Sequence, residues 1–164
     1  MSELQTNKVS PSTGTAFQIC DSGDTVTIAG ALGATTMSAQ LSMADQVVER
    51  PEIKDYSETY NASSGNGTVT LDLSTGNVFQ HTASGGNVIF EFTNPPGAGK
   101  GGSLTLKWIQ DSSDRSITWP PAVDWAAATA PTLTSGSAKV DVFTFFTVDG
   151  GTIWYGFTAG QDMS

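Results

Sequence analysis

The chain is poor in the residues that build most catalytic and metal sites. Its 164 residues include one cysteine, Cys20, and one histidine, His81. A lone cysteine cannot form a disulfide within the chain, and without a nearby base it is typical of a small buried residue rather than a nucleophile. One cysteine and one histidine also cannot supply the ligand set of a structural zinc site. We therefore expect no internal disulfide, no metal site and no cofactor.

Positive charge is also scarce. Lysine and arginine together number 7 against 16 aspartates and glutamates, so the net charge is −9. A surface with this charge repels nucleic-acid phosphates and anionic lipid headgroups. The sequence has no run of about 18 apolar residues, and its polar beginning lacks the basic and apolar regions of a secretory signal. We expect no nucleic-acid partner, no membrane insertion and no secretion signal.

What the chain has instead is the composition of short strands joined by turns. Charged residues make up only 14%, and glycine numbers 18. Apolar and β-branched residues dominate or alternate over 68–73, 88–93, 104–109, 139–148 and 152–157, with turn residues such as Gly, Asn, Asp and Pro between. No helical segment separates these runs, which excludes a parallel α/β architecture. The sequence therefore predicts an all-β domain, an antiparallel β-sandwich or jelly roll, over residues 51–164.

The apolar positions of these strands predict the core of the domain. Side chains that alternate along a strand point to opposite faces, so one set is expected to be buried. The predicted core residues are Val69, Leu71, Leu73, Phe90, Phe92, Leu104, Leu106, Trp108, Val142, Phe145 and Trp154.

Residues 1–50 differ from the rest of the chain. They contain no Trp or Tyr and a single Phe, which is too little large apolar surface for a core of their own. Residues 15–20 and 25–28 nevertheless resemble strands, and the second segment alternates polar and apolar residues. We interpret this part as an extended, strand-rich arm for anchoring or oligomerisation that packs on the later domain, on identical copies or on a partner. A disordered tail is the alternative.

Two finer predictions concern the same arm. Residues 37–48 are the best helix candidate of the chain, and Pro51 would end that helix because a residue before proline avoids the helical conformation. The large apolar residues of the two strand-like segments are the candidates for oligomer or partner contact; they are Phe17, Ile19, Val26 and Ile28.

No arrangement of residues in the sequence predicts catalysis. His81 lies inside a predicted strand, and no Gly-x-Ser-x-Gly elbow accompanies it. Residues 97–102 are glycine-rich but fail the spacing of a phosphate-binding loop. Residues 111–114 lack the glycine and the terminal Glu of a calcium loop, so a β-turn is predicted there. Nothing pairs two carboxylates as a glycosidase requires. We expect no catalytic residues and no enzymatic activity.

Four tryptophans lie in the second half of the chain, and they are open to two interpretations. Aromatic side chains that remain on the surface can stack on sugar rings, whereas core or inter-subunit packing is the simpler role. The candidates for glycan contact as surface aromatics are Trp119 and Trp125.

Several segments resemble one family of proteins. They are Ser116–Pro120, Val123–Trp125, Ala130–Thr134, Val140–Gly156, Arg50–Tyr56, Gly76–Phe79 and Leu4–Pro11. Together these segments resemble the C-terminal domain of tail-fibre-like and other structural proteins of tailed bacteriophages, especially aquatic ones. The resemblance spans most of the chain.

The resemblance implies a β-sandwich that assembles as a homotrimer and is mounted on a virion with other capsid or tail proteins. It implies no catalytic residues and a location in the virion, assembled in the host cytoplasm. The expected function is a small fibre or spike used in attachment to the host, which could contact a surface glycan. Because this chain is much shorter than many fibre proteins, a capsid decoration (cement) protein is an alternative. A free carbohydrate-binding module is a further alternative.

Overall fold

A computed structural model describes Glu52 and residues 54–163. The predicted arm of residues 1–50 lies outside the described residues, together with its helix candidate and its contact residues Phe17, Ile19, Val26 and Ile28. The described residues form seven strands and one short 3-10 turn, which are β1 (Tyr60–Asp72), β2 (Val78–Thr93), β3 (Gly102–Ile109), β4 (Ile117–Thr118), β5 (Val123–Trp125), the turn Ala126–Ala128, β6 (Val140–Thr147) and β7 (Trp154–Met163).

The strands form one mixed sheet. Their order is β1-β2-β3-β6-β7-β5, with β4 beside β2. The pairs β3–β6 and β6–β7 are antiparallel, whereas β1–β2, β2–β3, β2–β4 and β5–β7 are parallel. The all-β class is therefore confirmed. The prediction of an antiparallel sheet is correct for the two pairs that include β6 and wrong for the pairs of β2 and for β5–β7.

The parallel pairs arise because the long strands bend. β1 pairs with β2 first along Tyr60–Gly65 and again along Gly67–Asp72, with a shift of register between the two stretches. Parallel neighbours need a connection of about a dozen residues or more, usually a helix. Here the second half of β1 and the turn after it make that connection. The side chain of Asn61 donates a hydrogen bond to the Thr75 carbonyl at 3.3 Å, so the chain returns to the start of the strand.

We call residues 60–72, 78–93 and 102–118 the first, second and third rungs, each with a corner between its two halves. The corners contact one another through side-chain to backbone hydrogen bonds. Asn66 in the first corner donates to the Ser84 carbonyl at 2.9 Å, and the Gly85 amide donates to Asp111 at 3.2 Å. Asn87 accepts from the Ser116 amide at 3.0 Å. These bonds fix the three rungs in register.

The core lies between the first and second halves of the rungs. His81 in the first half of β2 meets Phe90 in its second half with ring centroids 5.6 Å apart. Phe90 also contacts Trp108 at 6.2 Å, and Phe92 contacts Phe145 at 4.9 Å. Edge-to-face contacts of this kind add about 0.5–1.5 kcal/mol each to the hydrophobic stabilisation of burial.

Most of the predicted core is confirmed. Seven residues are buried, namely Leu71, Phe90, Leu104, Leu106, Trp108, Phe145 and Trp154. Val69, Leu73 and Phe92 are partly buried and pack against that core. The prediction for Val142 is wrong, because it is only partly buried and shares the outer face of β6 with Val140. Phe143, which has the same parity as Phe145, is buried in its place.

Candidate functional site

The outer face of the β6–β7 hairpin exposes three aromatic rings. Phe146 is 43% exposed, Tyr155 is 42% exposed and Phe157 is 56% exposed. Phe146 pairs directly with Tyr155 across the two strands, and Thr144 pairs with Phe157. We call Phe146, Tyr155 and Phe157 the aromatic patch. Adjacent exposed aromatic residues are typical of a binding surface.

Strand parity explains why these rings face outward. Phe145 and Trp154 are buried, so their neighbours Phe146 and Tyr155 must point away from the core. The signal was present in the sequence, since predicting Trp154 as core also predicts Tyr155 and Phe157 as outward. Residue type alone singles out the tryptophans and does not mark Tyr155 or Phe157, whose outward position follows only from the strand face on which they lie.

A rigid turn holds this hairpin in register. Asp149 accepts hydrogen bonds from the Ile153 amide at 3.1 Å and from the Thr147 hydroxyl at 2.9 Å. These bonds hold the pKa of the Asp149 carboxyl below its usual value, with the Ile153 amide as the main cause. Gly150 and Gly151 both have positive φ angles, near 74° and 81°. The fixed turn therefore determines that Phe146 lies opposite Tyr155.

A cleft adjoins the aromatic patch. It has a volume of about 360 Å³, and its lining residues are Asp124, Trp125, Ala126, Ala127, Ala128, Tyr155, Gly156 and Phe157. Trp125 lies close to Gly156, because a Cβ atom at that glycine would come within 2.8 Å of the indole ring. The exposed carboxylate of Asp124 supplies a hydrogen-bond acceptor beside the Tyr155 and Phe157 rings. Aromatic faces beside a carboxylate are a chemistry that suits sugar hydroxyls and sugar rings.

The structure places the two tryptophans that the sequence offered as surface aromatics in or against the core. Trp125 is 9% exposed, and its ring lies 5.5 Å from that of Phe145. Trp119 is partly buried and packs against Phe143 at 5.1 Å. Both rings point inward, so neither offers an exposed platform in the described part of the chain. Only Trp125 reaches the cleft, and a glycan contact of either ring stays a prediction.

A second patch lies at the other end of the same face. A wide cleft of about 530 Å³ is lined by Lys107, Ala138, Val140, Val142 and Met163. Met163 is 51% exposed and pairs with Val140 across β6 and β7. The outer face of β6 is therefore apolar at both ends.

A buried carboxylate lies directly behind this second patch. Asp141 is 1% exposed and accepts hydrogen bonds from the Thr134 amide at 2.7 Å and the Thr134 hydroxyl at 2.6 Å. It also accepts one from the Asp162 amide at 3.2 Å. Three donors to one buried carboxylate compensate the loss of its hydration. Asp141 therefore ties the loop that contains Thr134 to the end of β7.

His81 forms the one serine–histidine contact that we find in the described part of the chain. Its Nε2–H donates to the Gly65 carbonyl at 3.3 Å, so Nδ1 accepts the hydroxyl proton of Ser63 at 2.8 Å. Burial lowers the pKa of the imidazole, and the hydrogen bond to Gly65 opposes this effect. A catalytic triad has a carboxylate where this site has the Gly65 carbonyl. The contact therefore serves to satisfy a buried histidine that stacks on Trp108.

The acidic segment 111–114 has structural partners. Asp111 pairs with Arg115 at 2.8 Å and also accepts the Ser112 amide at 2.6 Å. These contacts, with the Arg115 hydrogen bond as the largest cause, lower the pKa of Asp111 to about 2. Asp114 accepts the Gly136 amide at 2.7 Å. A turn occupies this segment, as the sequence predicted.

Neither a metal centre nor a bilayer-spanning helix is found within the described residues. Across Glu52 and 54–163, no three residues among His, Cys, Asp and Glu are grouped so that they could hold a metal ion. The same residues include no helix long and apolar enough to cross a bilayer. No protein-family model, curated protein or solved structure matches the chain.

Proposed function

We propose that this chain is a self-associating structural protein of a tailed-phage virion. In this proposal it forms a small trimeric fibre or spike-type appendage that contacts the host surface. The observation that carries the proposal is the apolar outer face of the β6–β7 hairpin. The sequence resemblance to tail-fibre-like proteins supports the same assignment.

The chemistry of the outer face favours association with another copy. Its outward residues on β6 and the first half of β7 carry no charge; they are Val140, Val142, Thr144, Phe146, Tyr155 and Phe157. The rest of the chain carries a net charge of −9, which keeps identical copies apart unless an uncharged surface joins them. Burial of the three aromatic rings between copies would remove their apolar area from water.

The proposal includes a two-layer β-sandwich as the finer fold. Contacts across the core support it, because the first halves of the rungs face the second halves over rings such as His81 and Phe90. Trp119, which follows the third rung, packs against Phe143 and Phe145 of β6 in the same way. Two layers that are continuous through bent strands would make a rigid appendage.

A second candidate function is a free carbohydrate-binding module. The observation that favours it is the cleft beside Trp125, with the exposed rings of Tyr155 and Phe157 and the carboxylate of Asp124. In this alternative the aromatic patch stacks on sugar rings and does not join copies. The two functions compete for the same surface, so oligomeric mass and glycan binding distinguish them.

The location on a particle is the direct test of the proposed function. An antibody raised against the purified chain would be applied, with gold label, to particles from the culture that produces this protein. Label at the tail supports a fibre or spike. Label spread over the head supports the decoration protein, and particles without label and without the chain in their peptide mass spectrum contradict a virion role.

A further inference from the structure

Among Glu52 and residues 54–163, no strand covers the outer edge of the first rung, which is long. β1 is the terminal strand of the sheet, and within the described residues nothing pairs with its outer side. Its 13 residues, YNASSGNGTVTLD, contain no proline and no charge before Asp72. Proteins usually shield such an edge with charged side chains, proline, or a covering segment, because its free backbone groups would pair with another chain. The exposed edge of β1 is therefore a site for an added strand.

The core is also open at the first rung. A cleft of about 260 Å³ there is lined by Asn61, Ala62, Ser63, Thr70, Leu71, Asp72, Thr75 and Phe79. Leu71 and Phe79 are buried, whereas Ser63 is exposed and Val69 is only partly buried. An apolar side chain on an added rung would cover this end of the core.

The sequence of residues 12–28 resembles that of the second rung. Residues 12–28 align without a gap on residues 74–90, which run from the turn before β2 into its second half. Eight of the 17 positions are identical: Ser12 with Ser74, Thr13 with Thr75, Gly14 with Gly76, Phe17 with Phe79, Gln18 with Gln80, Ser22 with Ser84, Gly23 with Gly85 and Val26 with Val88.

The two shared glycines have a physical role in the second rung. Gly76 has φ near 145°, and a Cβ atom there would lie 2.7 Å from the Thr59 carbonyl oxygen. Gly85 has φ near 79° and forms part of the corner. Side chains other than glycine are disfavoured in such conformations. Residues 12–28 keep glycine at both corresponding positions, Gly14 and Gly23.

The apolar positions agree as well. In the second rung the buried residues Phe79, His81, Val88 and Phe90 point into the core. The aligned residues are Phe17, Ile19, Val26 and Ile28, the four that the sequence suggested for partner contact. All four are apolar, so the segment has an apolar residue at each of these four buried positions of the second rung.

We propose that residues 12–28 of one copy dock along β1 of a neighbouring copy as an added rung. The proposal rests on the self-association proposed above. β1 pairs Ser64 with Thr82, and Cys20 aligns with Thr82, so docking in the same register places Cys20 beside Ser64. It places Phe17 beside Asn61 at the open cleft. If every copy donates this segment to the next copy, the copies form a closed ring. Each β1 edge in that ring is then covered by one donated segment.

An engineered disulfide tests this register in the full-length chain. Ser64 is exposed and is replaced in the variant Ser64→Cys, whose new thiol would face the position that the proposed register gives to Cys20. Neighbouring strands bring Cα atoms within disulfide range. Mild oxidation should convert most of the protein into cross-linked dimers and trimers on a non-reducing gel. The matched control Thr82→Cys, in the covered second rung, and the double variant Cys20→Ser/Ser64→Cys should remain monomeric on the gel.

The outcomes separate this inference from the proposed function. A trimeric mass in solution without an inter-chain cross-link overturns the docking register and leaves the self-association in place. A monomeric mass without a cross-link overturns both. A disulfide within one chain also overturns the inference, because the donor would then be the same copy.

A second measurement avoids any risk that the cysteine variants fold poorly. Amide hydrogen exchange of the wild-type chain at high protein concentration should be slow for the amides of Tyr60–Asp72 that point away from β2. Dilution below the concentration at which the oligomer forms should expose these amides. Equally fast exchange at both concentrations contradicts the docking of a segment on this edge.

Discussion

Phe146 and Tyr155 lie directly opposite each other on β6 and β7, and both point away from the core. Their inward neighbours, Phe145 and Trp154, are almost fully buried. The same hairpin thus supplies one apolar surface to the core and a second to the exterior. The exterior surface is the basis of the proposed self-association.

Replacing an aromatic residue of the patch should break the oligomer. Phe146→Asp puts a charge at the centre of the proposed contact, where burial of an unpaired carboxylate is costly. We expect the mass in light scattering to fall to that of one chain, 17.1 kDa. Ile89→Asp is the matched control, because Ile89 is 45% exposed but lies on β2. Equal masses for the two variants would contradict the role of the patch.

His81 should make stability depend on pH. Because burial lowers its pKa in the folded state, the unfolded chain binds the proton more readily. Stability is therefore fully present above the unfolded pKa of about 6.5 and declines as pH falls through the folded value. Urea denaturation from about pH 7.5 to pH 5 should show this decline. The variant His81→Gln should show a flatter profile over that interval, and an identical slope would contradict the assignment.

Loss of the buried carboxylate of Asp141 should be costly. Asp141→Ala leaves the Thr134 amide and the Thr134 hydroxyl without the carboxylate that accepts their hydrogen bonds. We expect a loss of about 2–3 kcal/mol in the free energy of unfolding, measured by denaturant titration. The control Asp114→Asn alters a single exposed acceptor of the Gly136 amide, and since Asn tolerates the positive φ of 45° at this position it should cost less than about 1 kcal/mol. Equal losses for the two variants would show that burial of Asp141 does not matter.

The stability of the fold should depend on glycine at the corner of the second rung. Gly85→Ala forces a side chain into a positive φ angle and brings its Cβ atom to 3.0 Å from the Asn66 amide nitrogen. We expect a loss of about 1–2 kcal/mol in unfolding free energy. Gly97→Ala has open space around it and an ordinary φ angle, so it should change stability by less than about 0.5 kcal/mol. A neutral Gly85→Ala would mean that the corner relaxes freely.

Glycan binding would favour the alternative function. In that case Tyr155→Ala should abolish binding of sugars in a glycan-array assay, because the ring lines the cleft beside Trp125. Tyr60→Ala is the matched control, since Tyr60 is 54% exposed at the start of β1. Under the self-association proposal the assembled protein binds no sugar through this cleft, because the aromatic patch is covered.

The strands and most of the core were predictable because both follow from alternation along the chain. Leu104, Leu106 and Trp108 share one face by spacing alone, and all three are buried. Alternation does not distinguish parallel from antiparallel pairing, so the parallel partners of β2 were missed. The bend that makes them possible depends on hydrogen bonds between distant corners, such as Asn66 with Ser84.

The site was less predictable than the fold. Residue type suggests Trp119 and Trp125 as candidate surface aromatics, but the path of the chain after the third rung turns both inward. Tyr155 and Phe157 follow from parity once Trp154 is taken as buried. The cleft beside them depends on the 3-10 turn at Ala126–Ala128, where Ala127 and Ala128 have positive φ angles near 55° and 54°. No pattern in the sequence marks that turn.

The solution mass of the full-length wild-type chain tests self-association most directly. It would be measured by light scattering behind a sizing column over a range of concentrations. A mass of three chains is the predicted result. A mass that stays at 17.1 kDa over the whole range would contradict the account.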